Sequence, residues 1–249
     1  MSKTTIDVHQ QEGQWTCFVG CDSEVNIPPI AQLLTSIDDF DITLKDDRRS
    51  LVKRGIFNAL DVVAKQPRDK NRRKWSRLLS LIGPSEAKRN FLTLIEFQQK
   101  GIESLKPVCL LEKKHFGMVV DSWFIYEYRE GVESNKSHLK DIVAQLTLIH
   151  QHGYRHEDPN FGNFLIDPSG IMFLIDCRGK PRSGKFSDYY DFMLLERVCG
   201  FTRQEVEALI EIDRSSFGYM KAQLYRGYIN LRTKWKVLIG RKRSKRDLD

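Results

Sequence analysis

Tyr154-Arg155-His156-Glu157-Asp158-Pro159-Asn160-Phe161-Gly162-Asn163-Phe164-Leu165-Ile166-Asp167, followed by Ile171-Met172-Phe173-Leu174-Ile175-Asp176, is the stretch from which the rest of the chain can be read. His156, Asp158 and Asn163 stand at H-x-D-x-x-x-x-N spacing, and Asp176 closes an apolar run. Phosphoryl transfer from a nucleotide needs this set. One carboxylate orients or deprotonates the attacking hydroxyl, while an amide and a second carboxylate hold magnesium against the phosphates. The spacing therefore predicts Asp158 as the catalytic residue and Asn163 and Asp176 as the metal-holding pair.

The flanking pattern agrees with that reading. Leu139, Ile142, Val143, Leu146 and Ile149 recur at helical spacing, which predicts a buried amphipathic helix running into His150. Gly153 is the residue type expected just past its C-terminus. Phe164-Leu165-Ile166 and Ile171 to Ile175 read as two short strands, joined by Asp167-Pro168-Ser169-Gly170 as a turn. Helix, loop, hairpin and Asp in this order deliver both carboxylates and the amide to one cleft.

Plainer readings exist for each residue. Asp158 and Asn163 taken singly are ordinary turn or cap residues. Asp176, at the end of an apolar run, must find a partner or a metal. His150, His152 and His156 invite a zinc site, but no Cys or acidic partner stands at zinc-finger or H-E-x-x-H spacing. His156 is expected to be a packed, hydrogen-bonded loop residue. Asp191, in Asp188-Tyr189-Tyr190-Asp191, either braces the catalytic loop from beneath or is a helix N-terminal acid.

The preceding half should hold the nucleotide. Ser50 to Lys53 and Asp61 to Lys65 look like strands. A Lys ending a Val-Val-Ala strand is the type that reaches the α- and β-phosphates, so Lys65 is preferred over its rival Lys53. Glu86 follows Gly83-Pro84-Ser85 in the first turn of a predicted helix and is the candidate partner of that lysine, with Glu96 as the alternative. Phe124 to Tyr128 reads as the strand entering a hinge, where the backbone of Glu127 and Tyr128 would face adenine. There is no G-x-G-x-x-G loop, and a turn near Arg54-Gly55 is expected to cover the phosphates instead. The predicted fold is α+β and protein-kinase-like. Its small β-rich lobe spans residues 15–128, and a mainly helical lobe spans 129–249.

Composition bounds the alternatives. A chain of 249 residues, 41% hydrophobic, can bury a core in one unit or in two lobes around a cleft. No apolar run approaches the ~20 residues a bilayer requires, and no secretory leader is seen. Five cysteines without a C-x-x-C pair suggest reduced thiols, and hence a cytoplasmic protein. The net charge of +7 is concentrated from Arg214 onward, where eleven Lys or Arg meet two Asp. There Tyr225, Tyr228, Trp235, Leu238 and Ile239 are interleaved with basic residues ending in Arg241-Lys242-Arg243-Ser244-Lys245-Arg246. A basic, aromatic tail suits an anionic membrane surface or a phosphorylated glycolipid, or is simply solvated. It suits RNA too, but nucleic-acid binding leaves the catalytic-loop spacing unexplained. A second basic cluster, Arg68 to Arg77, would meet phosphates on an acceptor or form an exposed face.

Several segments together resemble a known family, the bacterial lipopolysaccharide core heptose (II) kinases. They are Asp158-Pro159, Gly162-Asn163-Phe164, Ile175-Asp176, Gly179-Lys180, and Leu195-Glu196-Arg197 with Gly200; the strand ending at Lys65, the basic segment after it and the Gly83 helix entry are also similar. The resemblance covers roughly residues 50 to 200. It implies a protein-kinase-like fold, ATP with Mg2+, and a sugar hydroxyl of the lipopolysaccharide core oligosaccharide as acceptor, reached at the cytoplasmic face of the inner membrane. Other readings stay open: Kdo or a small metabolite as acceptor, or an inactive kinase-like binding module. Relative to protein kinases, Glu157 replaces Arg, Cys177-Arg178 replaces Phe-Gly, and no A-P-E follows. Loss of that Arg argues against control by activation-loop phosphorylation and against a protein substrate.

Overall fold

Between Ile6 and Glu127 the chain lays down seven strands, and the period-two alternation within each strand decides what its side chains meet. A computed structural model describes residues 6–20, 26–177, 179–182 and 184–246. Cys21 and Arg178 lie outside the described residues, as do the side chains of Lys70, Lys234 and residues 236–246. β1 (Ile6–Glu12) and β2 (Trp15–Gly20) form a hairpin, and α1 (Ile30–Asp38) follows. β3 (Ile42–Asp46), β4 (Leu51–Phe57) and β5 (Leu60–Gln66) form an antiparallel meander. Two short helices, α2 (Arg68–Arg72) and α3 (Lys74–Leu79), lead to α4 (Glu86–Gln99). β6 (Pro107–His115) and β7 (Met118–Glu127) complete a seven-stranded sheet in the order β1-β2-β6-β7-β5-β4-β3.

One face of this sheet is closed by α1. Val62 and Ala64 of β5 and Trp123 and Ile125 of β7 are buried there with Ile30, Leu33 and Ile37. The alternate residues Val63, Lys65, Phe124 and Tyr126 belong to the opposite face. On that side Phe91 of α4 meets Phe124 edge-on, with ring centroids 5.9 Å apart. Register separates the two rival lysines. Lys53 is opposite Ala64 and so shares the α1 face, where its Nζ donates to the carbonyls of Ile37 (3.1 Å) and Asp38 (2.6 Å). It satisfies carbonyls that the end of α1 leaves open. Lys65 is opposite Val52 and lies on the α4 face.

The turn expected at Arg54-Gly55 is not there. Both residues lie inside β4, and the chain reverses at Asn58-Ala59, whose φ values of 47° and 63° make a two-residue hairpin loop. Gly55 is a glycine for a packing reason: a Cβ there would overlap the ring of Phe40. At the Lys65 end of the sheet the turn is residues 47–50, between β3 and β4. Asp47 Oδ1 accepts the N–H groups of Arg49 and Ser50 there, each at 2.7 Å. Three cations of the basic cluster after β5 are committed within the fold. Arg68 pairs with Asp46, Arg73 with Asp69, and Arg77 Nε donates to the Asn71 carbonyl.

The remaining elements are β8 (Val132–Glu133), α5 (Leu139–Gln151), β9 (Tyr154–Arg155), β10 (Phe164–Ile166), β11 (Met172–Leu174), β12 (Lys180–Pro181), α6 (Lys185–Cys199), α7 (Arg203–Glu207) and α8 (Phe217–Arg246). The helical periodicity before His150 is α5, which buries Ile142, Val143, Leu146 and Ile149. Gly153 follows it at φ 85°. β10 and β11 pair antiparallel, and β10 also pairs with β8, while β9 pairs with β12. By its contacts the chain forms two compact units. One runs to Ser134 and takes back Gly162–Gly179; the other holds Asn135–Phe161 and the chain from Lys180 onward. The sequence placed a single boundary after residue 128; contacts change hands after Ser134, Phe161 and Gly179. The basic segment read as a tail is helical through Arg246. Tyr219 and Ala222 of α8 are buried with Tyr189 of α6, and Arg226 pairs with Glu196 at 2.9 Å.

Candidate active site

In the sheet-bearing unit, Lys65 and Asp176 meet although 111 residues separate them in sequence. Lys65 Nζ donates to Asp176 Oδ2 at 3.0 Å. Burial disfavours the charge on Lys65, but the carboxylates of Asp176 first and then Glu86 favour it more, so its pKa is raised. Burial pushes Tyr126, on the same face, up to about 12, which keeps its phenol neutral. The other oxygen of Asp176 is approached by Asn90 Nδ2 at 3.4 Å. Asn90 is one helical turn from Glu86, the first residue of α4, and therefore on the same face. Ser85 caps this helix by accepting from the Lys88 N–H at 3.0 Å. Sequence reading missed Asn90; its i+4 spacing from Glu86 was the available signal.

Asp176 reaches this place through the β10–β11 hairpin. The Ile175 N–H donates to the Asn163 carbonyl at 3.0 Å, so the candidate metal-holding residues are tied together by backbone at the hairpin base. Gly179, at φ 51°, lets the chain pass close to α4: a Cβ there would overlap Thr93. At the expected hinge, the Glu127 N–H donates to the Lys106 carbonyl (2.9 Å) and the Tyr128 N–H to the Asp61 carbonyl (2.8 Å). Both amides are thus committed inside the protein. Each carbonyl retains capacity for a second bond. The Tyr128 ring carries the Arg54 guanidinium 3.4 Å above its centroid, and Arg54 in turn forks onto Asp61.

In the helical unit, Asp158 is exposed on the loop after β9, five residues ahead of Asn163 along the chain. What shapes the loop is Asp191. It is fully buried in α6, and its carboxylate accepts the N–H groups of His156 (2.6 Å) and Glu157 (2.8 Å) and pairs with His150 Nε2 (3.0 Å). The helix N-terminal acid is therefore Asp188, and Asp191 is the brace. His156 is completely buried, and its Nδ1 accepts from the Asp158 N–H at 3.3 Å. Glu157 sits at φ 68°, a left-handed conformation costly for a residue with a Cβ. It is held by Asp191 and by ion pairs to Arg155 and Lys180, each 2.7 Å. Where protein kinases have an arginine, this loop has a carboxylate gripped by two cations.

Asp191→Ala would leave two backbone donors and His150 without their acceptor. We expect a loss of roughly 2–4 kcal/mol of stability, read by urea denaturation, with a parallel fall in turnover. Unchanged stability and unchanged turnover would show that the loop holds its shape without this brace.

The seven-stranded sheet of one unit, with a lysine paired to an aspartate after a hairpin, and the helices of the other, with an exposed aspartate on a braced loop, make this an α+β protein. The chain belongs to the WaaY family of lipopolysaccharide core biosynthesis proteins, whose family model matches residues 28–210. It is 28% identical over 184 residues to the lipopolysaccharide core heptose(II) kinase WaaY of Escherichia coli strain K12, covering 70% of this chain and 73% of that protein. A solved structure of WaaP in complex with acyl carrier protein aligns with a TM-score of 0.48 at 14% identity, over 79% of this chain and 88% of that one.

Proposed function

We propose that this protein transfers the γ-phosphoryl group of ATP to a heptose hydroxyl of the lipopolysaccharide inner core. The observation that carries the reading is the Lys65–Asp176 pair, assembled from distant segments on the face shared with Tyr126 and α4, in a chain of the WaaY family. Lys65 would bind the α- and β-phosphates as a permanently charged donor. Glu86 would support that charge, and Asn90 would fix the carboxylate of Asp176. The donor set suits Mg2+: a carboxylate and an amide oxygen are hard ligands, and Mg2+ takes few from protein. Side-chain exposure of 37% leaves Asp176 within reach of such an ion. Mg2+ held by Asn163 and Asp176 would neutralise charge on the phosphates. Asp158 would align the acceptor hydroxyl and take its proton as the oxygen bonds to the γ-phosphorus and the bond from that phosphorus to ADP, the leaving group, breaks. Because the amides of Glu127 and Tyr128 are committed, adenine would be met there through their carbonyls. In place of a glycine-rich loop, the turn at residues 47–50 would lie over the phosphates, with Arg48 and Arg49 supplying positive charge.

The acceptor is lipid-linked, so the enzyme would work at the cytoplasmic face of the inner membrane through peripheral contact with its anionic surface. The test is mass spectrometry of core oligosaccharide from cells with and without this protein. A single phosphate on heptose should be present only in the former. An identical phosphate pattern in both would overturn the assignment.

A further inference from the structure

The helix α8 has two apolar sides. At about 3.6 residues per turn, Tyr219, Ala222, Arg226 and Ile229 fall on one side, and this is the side packed in the fold: Tyr219 and Ala222 are buried, and Arg226 is paired with Glu196. Phe217, Met220, Leu224, Tyr228, Leu231 and Trp235 fall on the opposite side at steps of three and four residues. All six are between 50% and 78% exposed. They form one straight apolar stripe of about 27 Å at 1.5 Å per residue. A soluble surface seldom shows so many large apolar side chains in one line without a partner.

Charge identifies the partner. Residues 217–246 carry ten Lys or Arg and no Asp or Glu. Lys221 and Arg232 flank one edge of the stripe, by the same helical geometry. A second copy of the chain is a poor occupant, because apposing two such helices would bring like charges together without compensation. No helix among the described residues is apolar enough to cross a bilayer, and α8, with ten cations in thirty residues, lies far from that limit. Apolar stripe, basic flanks, and a Tyr and a Trp in the stripe are the features of a helix that lies in the plane of an anionic membrane. Its apolar side enters the acyl boundary and its cations meet lipid phosphates.

We infer that α8 is an interfacial membrane helix that inserts Phe217, Met220, Leu224, Tyr228, Leu231 and Trp235 into an anionic bilayer, while its opposite side anchors it to α6. This rests on the membrane-surface part of the function proposed above and adds the mode: insertion, beyond electrostatic attraction. The two modes separate in salt. Attraction alone fades as ionic strength rises, over a screening length of ~8 Å at physiological salt, whereas an inserted apolar stripe persists.

The experiment uses the full chain and vesicles of phosphatidylcholine with or without phosphatidylglycerol, containing no lipopolysaccharide. Co-sedimentation across a salt series is compared for the wild type, the Leu224→Gln/Leu231→Gln double variant, and a chain ending before Arg241. The wild type should bind the anionic vesicles and keep part of that binding at high salt. The double variant has the same net charge and a good helix former at both positions. It should partition roughly tenfold or more weakly, for two large apolar groups kept out of the bilayer. The truncated chain should lose affinity chiefly at low salt. Bromine-labelled lipid should quench tryptophan emission, and Trp235→Phe should remove that quenching. Equal binding of the double variant and wild type at every salt, or quenching unaffected by Trp235→Phe, would overturn insertion. So would a change in oligomeric state, measured by analytical ultracentrifugation, in place of a change in vesicle binding. Turnover of a soluble core oligosaccharide, measured on the same proteins, should be unaffected by Leu224→Gln/Leu231→Gln. Failure of the kinase assignment would therefore show as no turnover in any variant, with vesicle binding intact.

Discussion

Asp158→Asn is expected to slow phosphoryl transfer by roughly 10²- to 10⁴-fold, the range for removing a positioned general base. The substitution keeps the size of the side chain and exchanges only its ability to orient and accept the hydroxyl proton. Stability should be little changed, because the loop is shaped by Asp191 acting on the backbone of His156 and Glu157, and Asp158 is exposed. Nucleotide affinity should stay near normal too, since the Lys65–Asp176 pair is untouched. The measurement is single-turnover transfer to a core oligosaccharide, beside ATP binding by calorimetry. Full activity in the purified variant would remove Asp158 from the mechanism.

Asp176→Ala should abolish magnesium-dependent binding of ATP. It deletes the carboxylate proposed to hold the ion and at the same time leaves Lys65 without its direct partner. Lys65→Ala should also cut turnover severely. Lys53→Ala should leave turnover near normal and cost about 1 kcal/mol of stability, because this lysine closes the end of α1. Calorimetric titration of ATP with and without magnesium, steady-state rates and thermal melts on the three variants form one experiment. Loss of turnover in Lys53→Ala with retention in Lys65→Ala would reverse the assignment. Protonation of Lys65 will not confuse the comparison. Its folded pKa is raised above the ordinary 10.5, so the stability of the pair is full at neutral pH and is lost only as pH climbs through that raised value.

Sequence alone brought out the candidate site. The residues proposed for it, Asp158, Asn163 and Asp176, are local in the chain, and short-range spacing with Pro and Gly at the turns encodes their order. The helix before them was equally legible, because a single apolar face repeats at helical period from Leu139 to Ile149. Tertiary structure decided everything that depends on which face a side chain meets. Lys53 and Lys65 both end strand-like runs, and the Val-Val-Ala before Lys65 was the ground in sequence for preferring it. Lys53 lies opposite Ala64, one residue before Lys65 on β5, and that one-residue step sends Lys53 to the carbonyls of α1 and Lys65 to Asp176. Gly55 looked like a turn because glycine permits one; the ring of Phe40, fifteen residues away in sequence, is the actual reason for it. Asp191 could not be told from a helix-capping acid until its helix was seen to start at Lys185, which places it well inside and beneath the loop. The basic segment after Arg214 showed its charge in sequence but not its two-sided helix. Apolar residues on opposite sides cancel as a periodic signal, and only packing against α6 shows which side the fold has used. Local spacing is written in the order of residues; the choice between faces is made by whatever packs against them.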